Sequence, residues 1–89
     1  MSSSPRIQGH VQSVMDPDGA VLLDLKRGKY FSLNGVAAEI WTALEAGRTR
    51  SEIAVELAAA YGVPEARVSG DVDAFMARLE QERLVDAAR

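Results

Sequence analysis

Residues 22–34, Leu-Leu-Asp-Leu-Lys-Arg-Gly-Lys-Tyr-Phe-Ser-Leu-Asn, predict two antiparallel strands joined by a tight turn and ended by a helix cap. Gly28 tolerates the positive φ that a short turn needs, and Asn34 can cap a helix. Three strand patterns precede this cap and three helix patterns follow it. In a simple meander, the strand from Lys29 to Leu33 therefore lies at a sheet edge, with unpaired backbone groups along one side.

Two earlier strands are predicted before this segment. Alternation over residues 11–15 predicts a strand that is buried mainly on one side and ends at Asp16. The tetrapeptide 16–19, Asp-Pro-Asp-Gly, is a strong turn signal. The next run, 20–25, is nearly continuously apolar, which is typical of a central strand covered on both faces.

Helix signals begin at Asn34, and Gly47 is expected to end the first helix. Thr49 and Glu52 have the spacing of a capping box for a second helix, which Gly62 ends. Apolar residues recur at helical spacing in both: Val36, Ala37, Ile40, Trp41 and Leu44 in the first, and Ile53, Ala54, Leu57, Ala58 and Tyr61 in the second.

A third helix is expected to open at Pro64. Gly70 leaves two alternatives, a continuous helix or a restart at Ser69. After this helix, Leu84 and Val85 are expected to fold back on the core. The apolar face of the third helix contains Val68, Val72, Phe75, Met76 and Leu79.

Together these patterns predict an α+β fold, a three-stranded antiparallel β-meander followed by three α-helices. With 89 residues, of which 47% are hydrophobic, the chain fits one small domain over residues 9–89, preceded by a flexible tail over residues 1–8. It has no cysteine and no apolar run of about 20 residues, so we expect a cytoplasmic protein. The net charge of −3 argues against nucleic acid as the partner.

Residues with catalytic chemistry are sparse. The single histidine, His10, has no nucleophile beside it in any motif, and no cluster has the spacing of metal ligands. We therefore expect a protein that is not an enzyme and holds no cofactor or metal. The basic residues Lys26, Arg27, Lys29, Arg48 and Arg50 fall in turns, where they form either a weak positive rim or ordinary solvated charges.

The edge strand and the third helix offer a more specific possibility. If the apolar face of the helix borders the strand, the two form a groove in which an extended peptide can add a strand, its alternate side chains entering apolar pockets. The alternative is that these apolar residues only complete the core. An open edge also permits pairing between two copies of the chain.

Four segments carry a resemblance to a known family: residues 22–25, the Gly-x-Tyr-Phe-x-Leu-Asn junction at 28–34, residues 37–41 and residues 44–47. With three strands before three helices, they closely resemble the PqqD-like family, also called RiPP recognition elements, where RiPP denotes a ribosomally synthesised and post-translationally modified peptide. The junction and the 71–79 helix look most like the stand-alone leader-binding proteins of lasso peptide biosynthesis. One departure is Arg83, where the family often has glycine.

The resemblance implies a winged helix-turn-helix-like domain without catalysis, which binds the leader of a precursor peptide between its third strand and third helix. The partners it implies are that leader, a leader peptidase of the transglutaminase-like cysteine protease type, and the cyclase that closes the ring. Strand pairing would fall to Lys29, Tyr30, Phe31, Ser32 and Leu33. Pockets would come from Val68, Val72, Phe75, Met76 and Leu79, with Asp71 and Arg78 as polar contacts.

Two alternatives remain at this point. A member of the same family could deliver its precursor to a radical SAM enzyme instead. A DNA-binding winged helix would need basic residues directed at bases and phosphates, whereas the third helix has an acidic balance.

Overall fold

The predicted order of three long strands and three helices is confirmed in a computed structural model, which describes residues 6–86. The elements are β1 (Arg6–Ile7), β2 (Val11–Asp16), β3 (Gly19–Asp24), β4 (Lys29–Leu33), α1 (Gly35–Glu45), α2 (Arg50–Tyr61), α3 (Glu65–Gln81) and β5 (Val85–Asp86).

Strands β2, β3 and β4 form an antiparallel meander with β3 in the centre, as predicted. The expectation that both faces of β3 are covered is wrong, because Val21 and Leu23 lie on the face turned away from the core and are only half-buried. The register places Leu22 opposite Phe31 and Ala20 opposite Leu33 on the face that meets the helices. The first residue of β3, Gly19, passes so close to the end of β4 that a Cβ there would overlap the Leu33 carbonyl oxygen. Glycine is therefore needed for the sheet to close at this end.

The helix ends follow the predicted caps. The side chain of Asn34 accepts a hydrogen bond from the Ala37 backbone N–H at 2.9 Å. Thr49 and Glu52 form the full capping box of α2, and Gly62 ends that helix in the left-handed conformation, with φ 65°. These local bonds satisfy backbone groups that a helix end otherwise leaves unpaired, so the helix boundaries are fixed by the sequence.

Helix α3 runs without interruption through Gly70, so the alternative of a restart at Ser69 is wrong. Beyond the helix, Arg83 has φ 60°. The Arg83 N–H donates to Glu80 O at 3.0 Å and the Leu84 N–H to Leu79 O at 2.9 Å, which is the bonding of a Schellman motif. This turn sends Leu84 and Val85 back into the core, where they are 1% and 4% exposed, as expected.

The core lies between the inner face of the sheet and the helices. Trp41 is 1% exposed and belongs to a cluster that includes Leu22, Ile53 and Met76. Its role as a core anchor matches its position on the apolar stripe of α1. Within the described part of the chain, none of the helices combines the length and apolarity that a bilayer crossing requires.

A flexible tail was expected over residues 1–8, of which residues 1–5 lie outside the described residues. Its remainder does not behave as a tail: Arg6–Ile7 form β1, which pairs with Val85–Asp86 in antiparallel register. Ile7 packs against the core. A half-buried apolar side chain and a strand partner supplied by the returning C-terminal segment explain the difference.

Two side chains assigned to the apolar faces of helices are exposed. Val36 of α1 and Tyr61 of α2 are 45% and 51% exposed. The Tyr61 hydroxyl donates to the Glu39 carboxylate, linking α2 to α1. That hydrogen bond, together with burial and the negative charge of Glu39, raises the pKa of Tyr61. Both residues lie at helix ends, where the stripe turns away from the core.

Candidate functional site: a groove between β4 and α3

Strand β4 lies at the edge of the three-stranded sheet, as predicted, with β3 as its single neighbour there. From Tyr30 onward its side chains alternate: Phe31 and Leu33 are half-buried toward the helices, whereas Tyr30 and Ser32 are exposed on the other face. Lys29, the first residue of the strand, is also exposed. The backbone N–H and C=O groups that point away from β3 are available to a further strand. An added strand would therefore lie beside a row of apolar side chains.

Helix α3 faces this strand with a mixed stripe of side chains. Asp71, Phe75, Arg78 and Glu82 follow one another at intervals of three or four residues, so they share a side of the helix. Phe75 is half-buried, and Asp71 and Arg78 are exposed. A second stripe, turned toward the core, contains Val68, Val72, Met76 and Leu79, which are at most 8% exposed.

A narrow apolar cavity lies between the two elements. Its floor is fully buried, because Leu22 and Leu84 are 0% and 1% exposed. Its rim carries one positive and one negative side chain, Arg78 and Glu82. The lining residues are Leu22, Phe31, Leu33, Phe75, Arg78, Leu79, Glu82 and Leu84.

A buried carboxylate holds the turn that leads into β4. Asp24 is 1% exposed and accepts hydrogen bonds from the backbone N–H groups of Lys26 and Arg27, both at 3.0 Å, and from the Arg27 guanidinium at 3.3 Å. Burial alone raises the pKa of Asp24, but these hydrogen bonds and the nearby His10 outweigh burial and hold that pKa below its usual value. Asp24 therefore stays ionised and fixes where β4 starts.

The same guanidinium ties the turn to the helix side of the groove. Arg27 Nη1 also donates to the carbonyl oxygen of Glu82, at 3.2 Å. Glu82 is the residue that follows α3, so one side chain bridges the entry of β4 and the end of α3. This hydrogen bond connects the two walls of the groove at that end.

Of the predicted site residues, the structure brings Phe31, Leu33, Phe75, Arg78 and Leu79 around one cavity. Val68, Val72 and Met76 lie in the core, because their stripe is rotated from that of Phe75 around the helix axis. Lys29, Tyr30 and Ser32 offer the groove their backbone, with side chains exposed. Asp71 lies one turn before Phe75 on α3 and does not line the cavity.

Sequence reasoning missed three lining residues: Leu22, Glu82 and Leu84. Leu22 could have been found from the strand register, because it lies opposite Phe31. Leu84 was expected in the core, but its place under the groove depends on the left-handed turn at Arg83, which the residue type does not indicate. Within residues 6–86, no group of three or more potential metal ligands comes together.

A family model for coenzyme PQQ synthesis protein D (PqqD) matches residues 19–85, most of the chain. The chain belongs to the PqqD family. No curated protein sequence matches this PqqD-family chain at a significant level.

Three solved structures resemble the PqqD-family chain along nearly all of its length. TbiB1 in complex with the TbiA(beta) leader peptide is 34% identical, with a TM-score of 0.88, covering 92% of this chain and 95% of that one. A lasso peptide synthetase B1 complexed with the leader peptide is 28% identical, with a TM-score of 0.81 and coverage of 97% and 98%.

The third is a solution structure of the PqqD truncation of Methylobacterium extorquens PqqCD, described as a functional, stand-alone RiPP recognition element. It is 26% identical, with a TM-score of 0.78 and coverage of 93% and 88%. The winged helix-turn-helix-like fold is thus common to all three and to this chain.

Proposed function

We propose that this protein binds the leader of a ribosomally made precursor peptide as a fourth strand on β4 and presents it to a processing enzyme. The observation that carries the proposal is the open edge of β4 beside the apolar cavity lined by Phe31, Phe75 and Leu79. The edge supplies backbone hydrogen bonds, and the cavity accepts alternate side chains, as in β-strand addition generally.

The energetics favour such binding. Ordering a disordered peptide costs about 2–5 kcal/mol. Each hydrogen bond to the free edge contributes about 1 kcal/mol, and each large apolar side chain buried in the groove contributes about 1.5–3 kcal/mol. A few hydrogen bonds and two buried side chains therefore exceed the ordering cost.

The roles of the site residues follow from their positions. The backbone of Lys29, Tyr30, Phe31, Ser32 and Leu33 pairs with the leader. Phe75 and Leu79 contact its apolar side chains, with Asp71 and Arg78 as polar contacts along the same helix. Val68, Val72 and Met76 support the helix wall from the core.

The pathway we propose is lasso peptide biosynthesis, supported by the identity of 34% with TbiB1 over 92% of this chain. The bound leader is presented to a leader peptidase of the transglutaminase-like cysteine protease type and, after it, to the cyclase. The domain itself contributes no catalytic group and no cofactor. It acts by raising the local concentration of the cleavage site.

The PqqD family model favours a second candidate, delivery of a precursor to a radical SAM enzyme. The two candidates differ in partner while sharing the groove. Pull-down of the purified domain with the leader peptidase, and separately with the radical SAM enzyme, each in the presence of its own precursor, distinguishes them.

Leader binding is tested by fluorescence polarisation of a labelled leader from the precursor encoded beside this gene. Wild type is expected to saturate in the micromolar range or below. Phe75→Asp should weaken binding at least tenfold, because a carboxylate would enter an apolar groove. Absence of wild-type binding at tens of micromolar would overturn the proposal.

Ala77→Asp is the matched control, since Ala77 is exposed on the far side of the same helix. Glu56→Ala, on α2, is a second control away from the groove. Equal affinities for Phe75→Asp and Ala77→Asp would remove the groove assignment. The fluorescence of Trp41, the sole tryptophan, checks that each variant is folded.

A further inference from the structure

The two ends of the groove between β4 and α3 differ in charge, and the end at Lys29 is basic. Lys29 precedes Phe31 by two residues, so both side chains share the groove face of β4. Lys26 and Arg27 lie in the turn before β4. Arg83, in the turn after α3, lines a pocket together with these two residues. We call Lys26, Arg27, Lys29 and Arg83 the basic end.

The other end of the groove is acidic. Gly19 lies against the Leu33 carbonyl, so the β2–β3 turn with Asp16 and Asp18 stands at the Leu33 end of β4. Asp71 is on the groove side of α3, about three turns before the helix end that borders the start of β4. All three aspartates are exposed.

The pocket at the basic end is open and has a volume of about 350 Å³. Arg27 joins it to the groove, because Arg27 lines the pocket and its Nη1 donates to the carbonyl oxygen of Glu82. Glu82 in turn lines the apolar cavity of the groove. A peptide that leaves the groove past Lys29 therefore passes this pocket directly.

Positive charge remains in excess at the basic end, although the whole chain has a net charge of −3. Lys26, Lys29 and Arg83 are exposed and form no ion pair with any described residue. Glu82, at the cavity rim, offsets only one of these charges. Three other nearby carboxylates each face a cation of their own. These are Asp24 with Arg27 at 3.3 Å, Glu80 with Arg50 at 2.8 Å, and Asp86 with Arg6, its register partner in the β1–β5 pair.

Strand geometry determines which side chains of a bound leader reach the basic end. Alternate side chains of an added strand point into the groove, and two residues span about 6.8 Å. The leader side chain that fills the cavity beside Phe31 is called the anchor. The side chain two residues from the anchor then lies beside Lys29, and the side chain four residues away reaches the β3–β4 turn. The intervening side chains point to the opposite face of the sheet.

We propose that the basic end is a subsite for an acidic side chain of the precursor, two or four residues from the anchor on the Lys29 side. The proposal rests on the proposed leader binding and adds a charge requirement that the apolar cavity does not impose. Because the Leu33 end is acidic, a peptide with this charge is also held in one direction along β4.

The test is a glutamate–glutamine scan of the labelled leader from the precursor encoded beside this gene, measured by fluorescence polarisation. Alanine replacement first identifies the anchor as the residue whose loss weakens binding most. Glutamate and glutamine are then placed in turn at each of the four positions on either side of the anchor. The two side chains are nearly equal in size, so the ratio of their Kd values at one position measures the preference for charge.

Wild type should prefer glutamate by about threefold or more at the second or fourth position on one side of the anchor, the scale of one or two partly exposed ion pairs. The first and third positions should show no preference. Lys26→Gln/Lys29→Gln should abolish the preference. Neither lysine pairs with a described carboxylate, so these substitutions leave no described ion pair broken.

Arg48→Gln/Arg67→Gln is the matched control, because it changes the net charge equally at two exposed residues away from the basic end. It should keep the preference for glutamate. Equal affinities for glutamate and glutamine at every second and fourth position would overturn the subsite. So would a preference that survives in Lys26→Gln/Lys29→Gln, or one that the control also loses. A wild type that binds none of the leader peptides instead overturns the proposed function.

Discussion

Among the described residues other than glycine, Arg83 alone has a positive φ, at 60°. The hydrogen bonds around Arg83 form the Schellman motif that ends α3. Glycine usually occupies this position of the motif, because a Cβ is disfavoured in the left-handed region. Leu84, one residue later, forms part of the groove floor. Arg83 therefore completes the turn without glycine and places the cost in backbone strain.

Replacing Arg83 with glycine should relieve that strain. We expect Arg83→Gly to raise the free energy of unfolding by about 0.5 kcal/mol. Glycine adopts the left-handed conformation without strain, but part of this stabilisation is offset because glycine also has greater conformational freedom in the unfolded chain. Urea unfolding followed by Trp41 fluorescence measures it. Arg83→Ala is the control, because alanine removes the side chain and keeps the strain. A glycine variant no more stable than the alanine variant would contradict this explanation.

Asp24 makes the stability of the fold depend on pH in the acid range. Its pKa in the folded protein is lowered from the ordinary value of 3.8. The stabilisation is therefore fully present above pH 3.8 and is lost as the pH falls through the lower folded pKa. Asp24→Asn should be less stable than wild type at pH 7, and the difference should shrink below pH 3.8.

Urea midpoints at pH 7 and between pH 4 and 2.5 check this expectation. Asp18→Asn, in the exposed β2–β3 turn, is the control for a general change in charge. A difference between wild type and Asp24→Asn that stays constant down to pH 2.5 would mean that the ionised carboxylate is not the source of the stabilisation.

At the scale of elements, strand addition on β4 has a signature that a simple apolar pocket lacks. Backbone N–H groups of an added strand point alternately toward β4 and away from it. Methylating the leader amides one at a time should therefore weaken binding at every second position, by about fivefold for each lost hydrogen bond. The intervening positions serve as internal controls in the same polarisation assay. Losses without a two-residue period would argue against pairing with β4.

The elements themselves could be predicted because their signals are local. The caps at Asn34 and Thr49 and the turn at 16–19 depend on a few adjacent residues, and all three are present as expected. The edge position of β4 followed from counting strands. The short strand at Arg6–Ile7 could not be predicted, because its partner lies at the other end of the chain.

The groove was predictable only in part. Helical periodicity put Phe75 and Met76 on one apolar face, but the structure separates them into groove and core. The separation depends on how α3 is rotated against the sheet. That rotation depends on contacts distant in sequence, and residues on α2 also meet α3, as in the ion pair of 2.8 Å between Arg50 and Glu80.

For the whole molecule, charge distinguishes peptide binding from DNA binding. The net charge is −3, and the cavity lining is mostly apolar. We expect leader affinity to change less than about threefold between 50 and 500 mM NaCl, since few phosphate-like charges are neutralised. Duplex DNA should show no saturable binding at tens of micromolar in the same assay. Binding to duplex DNA that falls steeply with salt would favour the winged-helix regulator instead.

The pairing of β1 with β5 has a consequence for joining this domain to others. Arg6 lies opposite Asp86, so both ends of the described chain leave the fold within about 5 Å of each other. The segment that connects α3 to β5 includes Leu84, which lies on the groove floor. A linker attached at either end would thus start from the same point beside the groove, and an enzyme fused before or after this domain would sample nearly the same volume around a captured peptide.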